Sequence, residues 1–213
     1  MIIAIDGPAA SGKGTIAKRI AGHYGLRHLD TGLLYRAVAR DVLAAGEDLA
    51  DAAASALAAS LLDVETLTDP GLRTSGIGEA ASKVARHVQV RDVLLTYQRN
   101  FAQEGLGAVI DGRDIGTVIC PDADVKFFVT ASPEIRARRR FLELTQGGVD
   151  ITQADVLTNI RARDERDRTR GASPLARAKD AVLLDTTNLD IDAAFRAAID
   201  LIEAAMGQTG RAG

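Results

Sequence analysis

The short apolar run Ile2-Ile3-Ala4-Ile5-Asp6 feeds directly into Gly7-Pro8-Ala9-Ala10-Ser11-Gly12-Lys13-Gly14-Thr15, and no other stretch constrains the chain's fold so tightly. The run is rich in isoleucine and bounded by a glycine, so it reads as a strand. The residues that follow, Ile16, Ala17 and Ile20, recur at helical spacing. Glycines between a strand and a helix let the backbone N–H groups turn inward around one phosphate, at the positive end of the helix dipole. Lys13 then reaches the outer phosphates of a nucleoside triphosphate as a mobile point charge. A plain strand-to-helix turn also favours glycine, but it gives a lysine in that slot no task. The candidate phosphate-binding residues are therefore Gly7, Pro8, Ala9, Ala10, Ser11, Gly12, Lys13, Gly14 and Thr15, with Lys13 also a candidate catalytic group.

A phosphate loop in that setting implies an α/β domain with a mainly parallel sheet, and the rest of the chain agrees. Short apolar runs at Ile2–Asp6, Leu26–Leu29, Ala108–Asp111, Val125–Thr130 and Ala181–Leu184 are the strand candidates. Helical patterns fall between them. One spans Val88–Glu104, with Val90, Val93, Leu94, Tyr97 and Phe101 on one face; the last helix places Ile191, Phe195, Ile199 and Ile202 together. Ser132-Pro133-Glu134 opens a further helix with a capping hydroxyl and a first-turn proline. The stretch from about 45 to 85 breaks the alternation. It holds an alanine run at 52–59 that reads as helix and the turn Asp69-Pro70-Gly71, and is expected to be an inserted subdomain.

A chain of 213 residues buries one substantial core, so a single domain over 1–213 is expected. Its 26 basic against 29 acidic side chains leave a net charge of −3, which argues against a broad nucleic-acid surface. Cys120 is the only cysteine, which excludes an internal disulfide and a cysteine-built zinc site; His23, His28 and His87 show no metal-ligand spacing. The N-terminal apolar run is too short for a signal peptide and nothing approaches a membrane span, so a cytoplasmic protein without a membrane partner is expected.

A nucleotide-binding fold needs a second substrate site before it can be a kinase, and three further clusters offer one. Asp30-Thr31-Gly32-Leu33-Leu34-Tyr35-Arg36 follows the second strand; Thr31 and Tyr35 share a helical face beside Arg36, two hydroxyls and a guanidinium suited to an anion. The same residues would also serve as a helix cap and a half-buried tyrosine. The third strand ends in Asp111-Gly112-Arg113-Asp114, at the carboxyl end where parallel sheets gather ligands. Asp111 is placed like the acid that orients Mg²⁺ in many P-loop proteins, so Thr15 and Asp111 are the candidate metal residues, acting through water or directly. Because Gly14, not a hydroxyl residue, follows Lys13, the ion would be held largely by phosphates and water. On a helix Arg163, Asp167 and Arg170 form one stripe, two guanidiniums able to clamp a moving phosphoryl group. That helix equally suits a solvated face laced with ion pairs such as Asp164 to Arg168, and of Arg136, Arg138, Arg139 and Arg140 at least two are expected to be such surface charges.

These residues resemble the bacterial cytidylate kinases over nearly the whole chain. The loop ending Gly12-Lys13-Gly14-Thr15 is similar to the nucleotide-kinase branch of P-loop proteins. The match continues through Asp30-Thr31-Gly32, Tyr35-Arg36, Ala80 to Ala85, Val90-Arg91, Asp111 to Val118, Arg163 to Arg170 with Pro174-Leu175, and Asp185-Thr186-Thr187. The resemblance implies an α/β P-loop NTPase, a three-layer sandwich on a five-stranded parallel sheet, with an inserted monophosphate-binding subdomain and a short lid. The core would comprise about 1–44, 86–138 and 165–213, the insert about 45–85 and the lid about 139–164. It implies transfer of the γ-phosphoryl group of ATP to CMP or dCMP with Mg²⁺, by a monomer. Ser82, Arg91 and Asp114 would face cytosine; Thr31, Tyr35, Arg36, Arg113 and Arg163 would surround the α-phosphate or its sugar; Asp167 would join the ribose and arginine network. Arg163 and Arg170, with Lys13, would be the catalytic set. One departure is visible: between Leu62 and Ser82 the chain is shorter than the family's insert, which there forms a small sheet.

Elementary chemistry supports cytosine separately, because a carboxylate such as Asp114 accepts from its exocyclic amine and repels the uracil oxygen in its place. A phosphate acceptor is already ionised, so no general base is required. Two other readings compete. A P-loop kinase acting on another monophosphate, or on an alcohol such as shikimate with Asp30 or Asp111 as base, differs in its acceptor. A nucleotide-dependent switch has no acceptor at all.

Overall fold

A computed structural model describes residues 1–209. Five strands, β1 (Ile2–Asp6), β2 (Arg27–Asp30), β3 (Ala108–Gly112), β4 (Val125–Thr130) and β5 (Val182–Asp185), form one sheet in the order β2-β3-β1-β4-β5. Every pairing is parallel, with Ile3 opposite both Val109 and Val125. Each expected strand is present, displaced by no more than a residue at either end. Ile3, Ala4 and Ile5 are wholly buried, as befits a central strand covered on both faces.

Among the described residues eight α-helices accompany the sheet: α1 (Lys13–Tyr24), α2 (Thr31–Ala44), α3 (Ala52–Ser60), α4 (Ser75–Val84), α5 (Val88–Gln103), α6 (Pro133–Gln146), α7 (Gln153–Thr169) and α8 (Ile191–Thr209). On one face α2, α4 and α5 pack through Leu34, Val38, Val84, Val90 and Leu94 against Ile110; on the other α1 and α8 pack through Ile16, Ile20, Ala194 and Ala198 against Val109 and Phe127. The result is a three-layer sandwich. In α8 the buried stripe runs Ala194, Ala198 and Ile202, whereas Ile191 of the expected face is 41% exposed. Alanine at the closest approach lets the helix sit near α1, and the larger side chains close over the flanks.

The region from 45 to 85 contains α3, α4 and, between them, two tight turns at Val64–Thr68 and Pro70–Arg73. Aspartates start three of these elements: Asp51 accepts from Ala53 and Ala54, Asp63 from Glu65, and Asp69 from Gly71. A stretch rich in such caps and poor in alternating apolar residues favours turns over strand. None of its described residues is in a strand, in contrast to the small sheet that the resemblance associates with this insert.

Helices α6 and α7 form a hairpin with its own small core, Ala137, Leu144, Val156 and Ile160. Ser132 caps α6 as its sequence implied, accepting from Ile135 N at 3.4 Å, and Thr152 caps α7. The expected core segment 165–213 runs past the structure: 210–213 lie outside the described residues.

Candidate active site

The loop after β1 takes its shape from close approach and from left-handed backbone. A Cβ on Gly7 would lie 2.0 Å from the carbonyl oxygen of Val129, so no other residue passes β4 there. Gly12 precedes α1 at φ 84°, a conformation glycine adopts freely. The loop's carbonyls are tied from outside, which leaves its N–H groups to face inward. Arg136 of α6 donates to Ala9 O at 3.2 Å and to Ala131 O at 2.9 Å. Thr186, just past β5, places its hydroxyl 3.1 Å from Ser11 O and 3.0 Å from Thr130 O, and Arg139 grips Thr186 through both its hydroxyl and its carbonyl.

Of that run, Arg136 and Arg139 are thus tied into the fold, while Arg138 is exposed and Arg140 pairs with the exposed Glu143 one turn on. Asp164 corrects the sequence reading. Instead of pairing with Arg168 in solvent, it is buried and binds Arg136 through both oxygens, at 3.0 and 2.6 Å. Helix α7 is thereby locked to α6 and, through Arg136, to the phosphate loop. Only the folded chain reveals this, since nothing in the local pattern distinguishes Asp164 from its charged neighbours.

The loop lines a cleft of about 1260 Å³, with Lys13, Thr15, Arg36, Arg113, Arg139, Arg140 and Arg163 on its walls and Asp30 at its base. Burial, then the nearby Arg113 guanidinium, push the Lys13 ammonium down to about 8. Burial and Arg113 likewise push Arg163 down to about 10, and its Nε is buried without a hydrogen-bond partner. A crowd of cations that destabilise one another is a site made for a polyanion.

Under the loop stand two acids. Asp30 and Asp111 are neighbours in the β2–β3 register. Asp30 caps α2 by accepting from Gly32 N at 3.0 Å, and burial, reinforced by Asp111, raises its carboxyl. Asp111 is buried and held through Oδ1 by His28 Nε2 at 2.9 Å; its carboxylate faces the loop, 3.7 Å from where a Gly14 Cβ would be. Carboxylates and the Thr15 hydroxyl are oxygen donors suited to a hard divalent cation. Among the described residues no three acidic, histidine or cysteine side chains converge as a ready-made cage, so further oxygens would have to come from phosphates and water.

Of the remaining candidates, Arg36, Arg113 and Arg163 line the cleft, and Thr31, Tyr35, Ser82, Arg91, Asp114, Asp167 and Arg170 are brought together behind it. Thr31 donates to Asp111 O at 2.9 Å, joining α2 to β3. Arg36 donates to Leu72 O at 2.7 Å and reaches the insert. Arg113 binds Asp167 at 2.8 Å, and Arg163 lies 4.0 Å from the same carboxylate. Burial pushes the Asp167 carboxyl up, but Arg113 and Arg163 outweigh it and leave it below the usual range. Asp114 is paired with Arg91, whose guanidinium lies over the Tyr35 ring at 5.4 Å. Arg170 donates to Ser173 O and comes within 3.8 Å of Asp114. Ser82 accepts from Arg166 Nε at 3.4 Å, and Arg166 also binds Glu79 at 2.6 Å, so α4 is latched to α7. Tyr35, Ser82, Arg91, Asp114, Asp167 and Arg170 are all buried, Arg91 and Asp114 bonded to each other and Ser82, Asp167 and Arg170 to Arg166, Arg113 and Ser173. Glu79 and Arg166 were not singled out by sequence; their partners lie too far along the chain for spacing to reveal.

The family model described as cytidylate kinase matches residues 3–204. A protein named cytidylate kinase from Rhodopseudomonas palustris strain TIE-1 is 60% identical over 204 residues, covering 96% of each chain. One of the same name from Nitrobacter winogradskyi is 58% identical over 212 residues and covers 100% of both. Among solved structures, an uncharacterized protein from Eubacterium ventriosum superposes with a TM-score of 0.55 at 18% identity, covering 95% of this chain and 98% of that one. TT1252 from Thermus thermophilus does so with a TM-score of 0.50 at 21% identity, covering 96% of each. These two likenesses concern the fold alone. With the family model spanning the loop, both acids and the arginine stripe, the chain belongs to the cytidylate kinase family.

Proposed function

We propose that this protein transfers the γ-phosphoryl group of ATP to CMP or dCMP, giving ADP and CDP or dCDP by direct in-line displacement. The observation that carries the reading is Asp114, a buried carboxylate held by Arg91 three residues beyond the acid that faces the phosphate loop. A fixed acceptor of hydrogen bonds, buried near an anion cleft, matches the exocyclic amine of cytosine. Ser82 and Arg91 would meet the acceptor atoms of the ring, while Thr31, Tyr35, Arg36, Arg113 and Arg163 would surround the monophosphate and its sugar, with Asp167 ordering the guanidiniums.

The donor's phosphates would lie in the loop Gly7–Thr15, neutralised by Lys13. Asp111, through water or directly, and Thr15 would hold a Mg²⁺ ion, which would supply neutralisation of phosphate charge. Arg163 lines the cleft and carries an unmatched Nε–H, so it is ready to bond an oxygen of the transferring group. Arg170 would join it once released from Ser173. Positioning and electrostatics then supply the catalysis, since the attacking phosphate oxygen is already ionised.

Because the cytosine-facing set is buried, CMP has to displace internal partners to reach it. The insert (about 45–85) and the lid (about 139–164) would open against the core (about 1–44, 86–138 and 165–213), breaking the Glu79–Arg166 latch, and close again to exclude water. The family reading favours a cytoplasmic monomer without a nucleic-acid or membrane partner. No described helix is long and apolar enough to cross a membrane.

The test is ADP release from Mg·ATP with CMP, dCMP, UMP, AMP, GMP or shikimate at equal concentration. Fast turnover with CMP and dCMP, slow with UMP and none otherwise is expected, and Asp114→Asn should reduce the CMP-over-UMP preference about tenfold or more. Turnover with shikimate would make Asp30 or Asp111 a base, and turnover independent of any acceptor would leave a nucleotide switch.

A further inference from the structure

Asp114 stands at the head of the wide helical turn Ile115–Ile119. At such a position an aspartate ordinarily folds its carboxylate back onto the turn's free N–H groups. Asp114 does not: it makes no capping bond, and its carboxylate turns to Arg91 and Arg170. Its carbonyl closes the turn instead, accepting from Val118 N at 2.9 Å and Ile119 N at 3.2 Å.

The N–H groups left over are taken by a residue from the far end of the chain. Asp6, the last residue of β1, accepts from Ile115 N through Oδ1 at 2.7 Å and from Gly116 N through Oδ2 at 2.8 Å. Asp6 is 3% exposed, so these N–H groups have no water to turn to. Two carboxylates could therefore satisfy the same buried donors, and an unmet buried N–H is costly enough that one of them must.

We infer that Asp6 is a specificity-determining positioning residue: by capping the 115–119 turn from β1, it leaves the Asp114 carboxylate free to read the acceptor's base. The inference rests on the assignment of Asp114 to base reading made above. It also ties the acceptor site to the strand that carries the phosphate loop, because Gly7 directly follows Asp6. Burial pushes the Asp6 carboxyl up to about 6 against the pull of its two backbone bonds. Protonated, one of its oxygens becomes a donor and can serve no N–H. The groups around it are Arg113, Asp114 and Cys120 from the turn segment, and Lys126 of β4, whose stem lies against Gly116.

The experiment compares Asp6→Asn, Asp114→Asn and the double variant with the native protein, reading kcat/KM for CMP over that for UMP. Asparagine offers one acceptor and turns an N–H₂ toward the other backbone N–H, so Asp114 is drawn back onto its own turn. Asp6→Asn is expected to lower the ratio about tenfold, the discrimination of one well-formed base contact, while ADP affinity measured without acceptor stays within about twofold. In the Asp114→Asn background the change at Asp6 should have no further effect on the ratio. A ratio that survives Asp6→Asn but is lost in Asp114→Asn overturns the inference. A ratio unchanged in both overturns the reading of Asp114 and the inference with it. Should Asp6→Asn fail to fold, the native protein serves: its CMP-over-UMP ratio, in which titration of the two like phosphate groups cancels, is expected to fall as the pH drops from about 7 to about 5. A constant ratio over that range overturns the inference.

Discussion

Affinity for ATP is expected to fall steeply in mildly alkaline solution, through Lys13. Burial and the Arg113 guanidinium lower its ammonium from 10.5 to about 8 in the free protein, Arg163 adding to the effect and Asp111 and Asp30 opposing it. A bound triphosphate sets several negative charges against the same nitrogen, so in the complex the proton is held to a much higher pH. The complex then binds a proton that the free protein has lost. By linkage the affinity is flat well below about pH 8 and falls by up to tenfold per pH unit above it. At about pH 9 only about one free molecule in ten carries a charged lysine, a loss of about 1.4 kcal/mol in binding. The assay is calorimetric titration with a non-hydrolysable ATP analogue, without acceptor, between about pH 7 and pH 9.5, repeated in buffers of different ionisation enthalpy. Proton uptake should climb from near zero toward one across that range, and Lys13→Arg should abolish the climb because a guanidinium stays charged throughout. An affinity flat to about pH 9.5 refutes the argument, and the same slope in Lys13→Arg assigns the proton to another group.

Two further perturbations probe other parts of the site. Asp164→Ala leaves Arg136 charged and 3% exposed without its carboxylate, a loss of about 3–5 kcal/mol that lowers Tm by about 6–20 °C for a chain of this size; Asp164→Asn should fall between, and an unchanged Tm in thermal unfolding contradicts the buried pair. Arg170→Ala is expected to lower kcat about 10²–10³-fold with a smaller effect on KM for CMP; a raised KM at unchanged kcat would confine Arg170 to its contact with Asp114.

The strands and the phosphate loop were legible because their signals are local. Buried parallel strands are continuous apolar runs, and the loop announces itself by glycines beside a lysine. Helix α5 declared itself through its apolar spacing and ends within a residue of expectation. The acceptor residues could be nominated by chemistry, but not their mutual pairing: Arg113 reaches Asp167 across 54 positions and Arg91 reaches Asp114 across 23. Which of the charges on α6 and α7 turn inward, Arg136, Arg139 and Asp164 among them, was not legible because a helix seen alone has no inside. Their partners are decided by where α6 and α7 land on the loop. Local composition also favoured turns between α3 and α4, where the family pattern implied strands, and the local signal prevailed.

The strand order has a consequence for how the chain is made. β1 lies at the centre of the sheet, yet its neighbours are residues 108 to 112 on one side and 125 to 128 on the other. At a synthesis rate of about 5–20 residues per second, β1 waits roughly 5–20 s for β3. During that interval an apolar strand with two open edges, the kind of template that invites wrong pairing, exists without the layers that will hide it. The clamp at Thr186 comes later still, so nucleotide cannot steady the nascent chain by gripping a finished loop. A chain halted before Ala108 therefore carries the entire phosphate loop and has no sheet on which to mount it.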